Sequence, residues 1–419
     1  MDETPSADDQ ALIDILSQLA KKAKPHFDHY SSFREDFSAA EYSRWLSQGP
    51  RIEDLQNLQK EVQRLLVGNP VFGRERSVFF GVKQLMLSPP YQSFNLLRVS
   101  YERDPEAAIA WMHRVFVTTH ADIRYVAEVH GLELRGRERL SNGVELVPLA
   151  ELPDSPYARR LVAQYPQFLP SFNRPFSRPV GAMFEIKGVR ASEALPDHPP
   201  QLGPRSDVLE TTVRAFALVA DASPVVGVGW IEFVDSDLAL AEFGQVWSAS
   251  FHESNLTSPI KTPPVVDESA LEWVERYIAL PLDVKRTVDV ALERLALARR
   301  RYHPGNKAIE GSICLEALLG DRGSQELTYR LRLRAALLLA EELKDRVEIS
   351  NAVRDFYTLR SKTVHGIAPS RDSTVTDSAS AERGITICAD ALRAIVKLGR
   401  KYVPADWELS GGDPGSKRL

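Results

Sequence analysis

The chain has 419 residues, 43% of them hydrophobic and 26% charged, with 52 Lys and Arg against 57 Asp and Glu for a net charge of −5. That length accommodates two or three ordinary domains, and that balance excludes a disordered chain, a fibrous repeat and a constitutive nucleic-acid coat. The two cysteines, Cys314 and Cys388, have apolar neighbours and no Cys-x-x-Cys spacing, which argues against a disulfide framework or zinc site and predicts two buried thiols in a reducing compartment.

In chain order, the first ten residues are acidic and polar, so no signal peptide is expected. No apolar run approaches the roughly 18 residues of a membrane span, and a cytoplasmic protein without membrane contact is expected. Up to residue 253 the pattern is mixed. Helical spacing predicts helices over 10–24, 51–66, 104–118 and 155–164. Val, Phe and Tyr content with period-two patches predicts strands over 77–86, 94–101, 123–134, 182–190, 211–220, 225–234 and 244–251. In the 211–220 run, Val213, Ala215, Ala217 and Val219 alternate with Arg214, Phe216 and Leu218.

This half carries no phosphate-cradling glycine loop, no His-Glu-x-x-His and no nucleophile elbow. Gly227-Val-Gly229-Trp230 lies inside a strand-like run and reads as a close-packed strand or bulge. His26 and His29 are one helical turn apart, but no third ligand can be nominated, and an exposed polar face is expected there. His113 and His120 lie on or near one helical stripe, and Trp111, Val115 and Phe116 around them predict a core-edge helix rather than a catalytic one.

Residues 254–267 are rich in proline and read as a linker between a domain at 1–253 and one at 268–403, with a flexible tail at 404–419. The charge divides at the same place. Residues 1–267 hold 27 Lys and Arg against 35 Asp and Glu, residues 268–403 hold 23 against 19, and the tail holds 2 against 3. A mildly basic module thus follows an acidic one. Its pattern is helical throughout, over 269–280, 284–302, 306–319, 325–343, 345–365 and 378–402. The fold class is therefore multidomain: a mixed α+β domain followed by an all-α bundle.

The stretch that carries chemistry is Phe356-Tyr-Thr-Leu-Arg-Ser-Lys-Thr-Val-His-Gly366. Arg360 is a permanent cation suited to charge building on phosphoryl oxygens, and His365 can move a proton near neutral pH. No metal is needed if the nucleophile is a ribose 2′-hydroxyl, which makes RNA the substrate. Five residues on a helix turn through about 140°, so Arg360 and His365 diverge within one unbroken helix. Tyr357, Ser361 and His365 share a stripe, along which Ser361 could orient His365. Gly366 is placed just beyond a helix end, and Pro369 blocks continuation.

Three blocks in order, Leu315-Glu-Ala-Leu-Leu319, Glu326-Leu-Thr-Tyr-Arg-Leu-Arg-Leu-Arg-Ala-Ala-Leu-Leu-Leu339 and the stretch above, resemble the HEPN superfamily in its Apea-like branch, over residues 270–403. The resemblance implies an all-α bundle, commonly a homodimer, in which two protomers' Arg-x-x-x-x-His motifs form one metal-independent endoribonuclease cleft. It implies Arg360 and His365 as the dyad and Ser361 as the polar residue after the arginine. It also implies a toxin, phage-defence or RNA-processing role under control of a fused or partner domain, with a protein or ligand trigger at residues 1–253, and no cofactor. Lys362, Arg330, Arg334 and Tyr357 are secondary RNA-contact candidates, the arginines alternatively being solvated surface charges. Glu316 and Tyr329 lie in the same blocks, and Arg299-Arg-Arg301 is a basic run open to the same two readings. Two other readings stand beside the nuclease. One is a non-catalytic HEPN module that binds RNA or protein, and the other an enzyme with its site in residues 1–253, for which no motif speaks.

Overall fold

In a computed structural model the described residues are 7–31, 44–159 except 46, 70, 82 and 156, 179–193, 206–242, 263–321, 326–366, 373–401 and 403. The expected strand at 244–251, most of the helix at 155–164, the tail at 404–419 and Pro369 lie outside them. The N-terminal half begins with α1 (Ala7–Ser31), α2 (Ile52–Val67), α3 (Pro89–Glu102) and α4 (Pro105–Val117), interrupted by the hairpin β1 (Arg76–Phe80) and β2 (Lys83–Leu87). The strand expected over 77–86 is therefore two strands, reversed at Gly81, whose φ of +62° suits a residue without Cβ.

The run at 94–101, expected as a strand, is part of α3. Pro89 and Pro90 open that helix in its first turn, where the missing N–H costs nothing. Gln92, Ser93, Asn95, Leu96, Leu97, Val99 and Ser100 are all buried, so burial nearly encircles the helix and no 3.6-residue stripe marks it in the sequence. Asp104 caps α4 by accepting from the Ala107 N–H at 2.6 Å.

The sheet runs β2-β1-β6-β3-β7, antiparallel throughout, with β3 (His120–His130), β6 (Val180–Ser192) and β7 (Val225–Phe233) at its centre and far edge. The short hairpin of β4 (Glu138–Arg139) and β5 (Glu145–Pro148) extends β6. Gly227 and Gly229 are buried inside β7, where its register against β3 shifts between Ala127 and Val129. Ile123, Tyr125, Ala127 and Val129 of β3 point into the main core, and Val126 joins Met183 and Trp230 in a smaller cluster on the opposite face.

The second misread strand, 211–220, is helix α5 (Ser206–Ala215) followed by a short 3₁₀ turn (Phe216–Leu218). Val213, Ala215, Phe216, Ala217 and Leu218 are all buried, because this segment lies between the sheet and the C-terminal helices. The alternation was that of a segment covered on every side. After α6 (Ser236–Ala241), the described chain resumes at residue 263, where the end of the proline-rich stretch is docked: the Val266 N–H donates to the Glu133 carbonyl at 2.8 Å and Glu133 returns a bond to Pro264 at 3.1 Å.

The remaining helices are α7 (Glu268–Ile278), α8 (Leu282–Arg300), α9 (Pro304–Leu319), α10 (Leu327–Leu339), α11 (Leu343–Val364) and α12 (Ser373–Leu398), close to the expected spans. Helix α9 is central, packed on α8, α11 and α12. Phe356 of α11 enters a slot floored by glycines: a Cβ at Gly384 would stand 2.1 Å from its ring and one at Gly311 2.6 Å. Cys388 Sγ donates to the Gly311 carbonyl at 3.2 Å, and both cysteines are buried and free. Gly384→Ala is expected to cost about 1–3 kcal/mol through overpacking, read as a lower urea midpoint at unchanged slope.

Two arginines join the halves. Arg299 donates to the carbonyls of Ala217 and Ala222, both at 2.6 Å, and of Ala220 at 2.8 Å. Arg393 donates to Leu218 at 2.7 Å and to Ala220 at 3.2 Å. These bonds hold Ala220 at φ +40°, a left-handed conformation that costs a non-glycine residue about 1–2 kcal/mol. Burial pulls the Arg299 guanidinium down to about 10, with the Asp221 charge opposing the shift. One apolar cluster runs through both halves. Arg299→Met would leave buried carbonyls without donors, and an unfolding free energy lower by roughly 1–3 kcal/mol is expected from chemical denaturation.

Candidate functional site

Helix α11 carries the motif. It runs unbroken to Val364, with His365 as its C-cap and the His365 N–H bonded to the Ser361 carbonyl at 3.0 Å. Gly366 follows at φ +69° and donates to Thr363 at 3.1 Å, the left-handed closure that glycine permits. Because the helix is regular from Arg360 onward, Arg360 and His365 leave its axis about 140° apart.

Arg360 is half-buried in an open cleft of about 790 Å³, lined also by Glu326, Leu327, Thr328, Tyr329 and Tyr357. Its Nε is buried without an acceptor, and among the described residues its guanidinium forms no hydrogen bond or ion pair. A cation left in that state is unusual, since burial of a charge is costly unless a partner offsets it. The cleft opens where α10 begins, and the first N–H groups of a helix have no intrahelical acceptor; Glu326 provides no side-chain cap.

Tyr357 anchors this cleft from beneath. Its hydroxyl donates to the Ser312 carbonyl at 3.1 Å and lies 3.2 Å from Glu316 Oε1, tying α11 to α9. Burial, reinforced by the Glu316 charge, pushes its phenol well above the usual range. Glu316 is thus a partner of Tyr357.

His365, Ser361 and Lys362 are exposed. His365 does not line the Arg360 cleft, and the Ser361 hydroxyl forms no hydrogen bond among the described residues. Ser361 reaches His365 through its backbone carbonyl alone. A single chain therefore presents the two halves of the dyad separately.

Arg334, a secondary RNA candidate, is 2% exposed and bonds the Leu319 carbonyl at 2.7 Å and Asp321 at 2.8 Å. It closes the C-terminal end of α9 and cannot reach a ligand. Arg330 spans both oxygens of the same Asp321 at 2.9 Å, so its charge is already matched. The run Arg299-Arg-Arg301 is structural as well: Arg299 holds the 217–222 carbonyls, Arg300 is buried, and Arg301 pairs with Glu310 at 2.8 Å.

One residue near the motif escaped the sequence reading. His303 caps α9, its Nδ1 accepting from the Gly305 N–H at 3.2 Å, and it is exposed. Gly305 presses on the last turn of α11, where a Cβ would stand 2.1 Å from Thr363 Oγ1. A second imidazole is thereby placed at the same end of the bundle as His365. The pattern His-Pro-Gly ahead of an apolar run was the available signal, because it marks a helix start.

The N-terminal half brings ionisable groups together without a motif. Lys83 of β2, 4% exposed, donates to the Ile231 carbonyl of β7 at 2.7 Å and pairs with Glu242 just after α6. Tyr157 donates to Glu242 at 3.1 Å. Buried Glu232 accepts from Trp230 Nε1 at 2.9 Å and from Arg124 at 3.1 Å, and Arg124 also holds Glu185 at 2.6 Å. Burial lowers the Lys83 pKa against the pull of Glu242, and burial raises that of Glu242. Each charge here is consumed by a neighbour. His26, expected on an exposed face, is instead 6% exposed within α1, and His29 stacks on Trp45 with ring centres 4.3 Å apart.

Among the described residues no three His, Cys, Asp or Glu side chains group as metal ligands, and no helix is long and apolar enough to cross a membrane. Comparison with family models, with curated proteins and with solved structures finds no match.

Proposed function

We propose that this protein is a HEPN-type endoribonuclease that cleaves RNA without a metal, acts as a homodimer through its helical half, and serves as a regulated toxin or phage-defence effector. The observation that carries the reading is Arg360: a guanidinium without a hydrogen-bond or ion-pair partner among the described residues, in an open cleft, five residues before an exposed histidine at a helix end. In the cleavage step His365 takes the proton of a ribose 2′-hydroxyl as its oxygen attacks the adjacent phosphorus. Arg360 balances charge on the non-bridging oxygens, and the 5′-oxygen leaves with a proton returned by imidazolium. The products carry a 2′,3′-cyclic phosphate and a 5′-hydroxyl. The divergence of the two side chains on α11 is met by pairing Arg360 of one chain with His365 of another. The N-terminal half, locked to the bundle through Arg299 and Arg393, is the part through which a trigger would act.

The test is incubation of the full chain with single-stranded and folded RNA in EDTA, with end-group analysis of the products. Cleavage to cyclic phosphate ends is expected; absence of cleavage, or cleavage that survives His365→Ala, ends the reading. The separation of His365 from the Arg360 cleft favours a second reading, a module that binds RNA through Arg360 and does not cut it. RNA affinity that needs Arg360, without turnover, would select it.

A further inference from the structure

The Arg360 cleft holds one cation and one acid, Glu326, among its lining residues, so its net Coulomb attraction for a phosphate chain is small. What it offers beyond Arg360 is aromatic surface. Tyr329, on the first turn of α10, is 60% exposed at the rim, and the buried Tyr357 also lines the space. A volume of about 790 Å³ lies within the roughly 300–1,000 Å³ of sites that take small molecules. It is ample for one nucleoside unit and too confined for a duplex.

We propose that Tyr329 is a base-stacking platform, making this cleft a subsite for one unpaired nucleotide whose flanking phosphate lies on Arg360. The inference rests on the RNA reading above and adds the class of RNA: single-stranded, at the position read. In an A-form duplex the base faces are covered by their neighbours, and only unstacked bases can meet an aromatic ring. Every base has such a face, so the subsite selects for strandedness before sequence. Tyr329 is 60% exposed and lines the same cleft as Arg360, so its ring is open to a base.

The experiment uses the full chain carrying His365→Ala, which holds RNA uncut, in EDTA. Binding of a labelled single-stranded hexamer and of a blunt-ended two-strand duplex is followed by fluorescence anisotropy across a salt series. Tyr329→Ala is expected to weaken hexamer binding about 10-fold or more, Tyr329→Phe to stay within about twofold, and duplex binding to be indifferent to both. Arg360→Ala should lower the slope of log affinity against log salt by about 0.7, the value for one single-strand phosphate contact. Hexamer binding unchanged by Tyr329→Ala, equal losses on hexamer and duplex, or no hexamer binding at all overturns the proposal. The two readings fail separately. Ring-dependent hexamer binding by a wild-type chain that never cuts RNA leaves the stacking subsite standing and removes the nuclease; cutting that ignores Tyr329 does the reverse.

Discussion

Replacing His365 with alanine is expected to slow RNA cleavage by about 10²–10⁴-fold, the range a positioned general acid–base group supplies. Arg360→Ala should cost about 10²–10³-fold, the range for a group aimed at developing charge. Both would be read as single-turnover rates in EDTA, at saturating protein, so that weakened binding does not pass for weakened chemistry. The geometry of α11 adds a sharper form of the experiment. If the site takes Arg360 from one chain and His365 from the other, a symmetric dimer holds two such pairs. A mixed dimer of Arg360→Ala and His365→Ala chains then keeps one pair intact and loses the other entirely. Mixing the two inactive variants in equal amounts, with free exchange of chains, should recover about a quarter of wild-type cleavage. If one chain supplied both groups, mixing would recover nothing. Retention of full activity by either single variant would remove the dyad.

The helical half was legible because its elements are amphipathic and its punctuation is explicit. Gly366 illustrates the point: a glycine after a cationic last turn predicts a left-handed closure, and the chain has φ +69° there. The N-terminal half was legible only where one face met solvent. β3 and β6 alternate burial along part of their length, whereas α3 and the α5 segment are enclosed on nearly all sides and lose the stripe that identifies a helix. The site followed the same rule. Arg360 and His365 were nominated through the family resemblance, but the sequence did not show that Arg334 lies inside and Tyr329 outside, since both occur in one Leu- and Arg-rich run. That distinction depends on Asp321, the partner that draws Arg330 and Arg334 away from solvent. The network around Lys83 had no sequence signal at all: its members are separated by up to 159 positions and meet only because the sheet brings β2 against β7 and α6.

That network supports the largest stability effect expected in this protein. Lys83→Met would leave Glu242 buried without its cation, and Glu242→Leu would leave Lys83 likewise; each is expected to cost about 3–5 kcal/mol. The double variant should cost far less than the sum, because burial outweighs pairing for both groups. Folding lowers the Lys83 pKa and raises that of Glu242, with burial as the first cause in each case. The signs follow from linkage. Glu242, raised in the folded state, contributes stability that is complete below its usual 4.5 and is lost as pH rises through its folded value. Lys83, depressed, contributes stability that is complete above its usual 10.5 and is lost as pH falls through its folded value. In Lys83→Met the stranded carboxylate can be relieved by protonation, so the deficit of that variant should shrink on acidification towards the ordinary carboxylate range. In Glu242→Leu the ammonium is relieved by losing its proton, so that deficit should shrink towards alkaline pH. Urea denaturation of the four chains at acidic, neutral and alkaline pH would show these opposite trends. Additive single effects, or deficits that ignore pH, would mean that Lys83 and Glu242 are not energetically coupled.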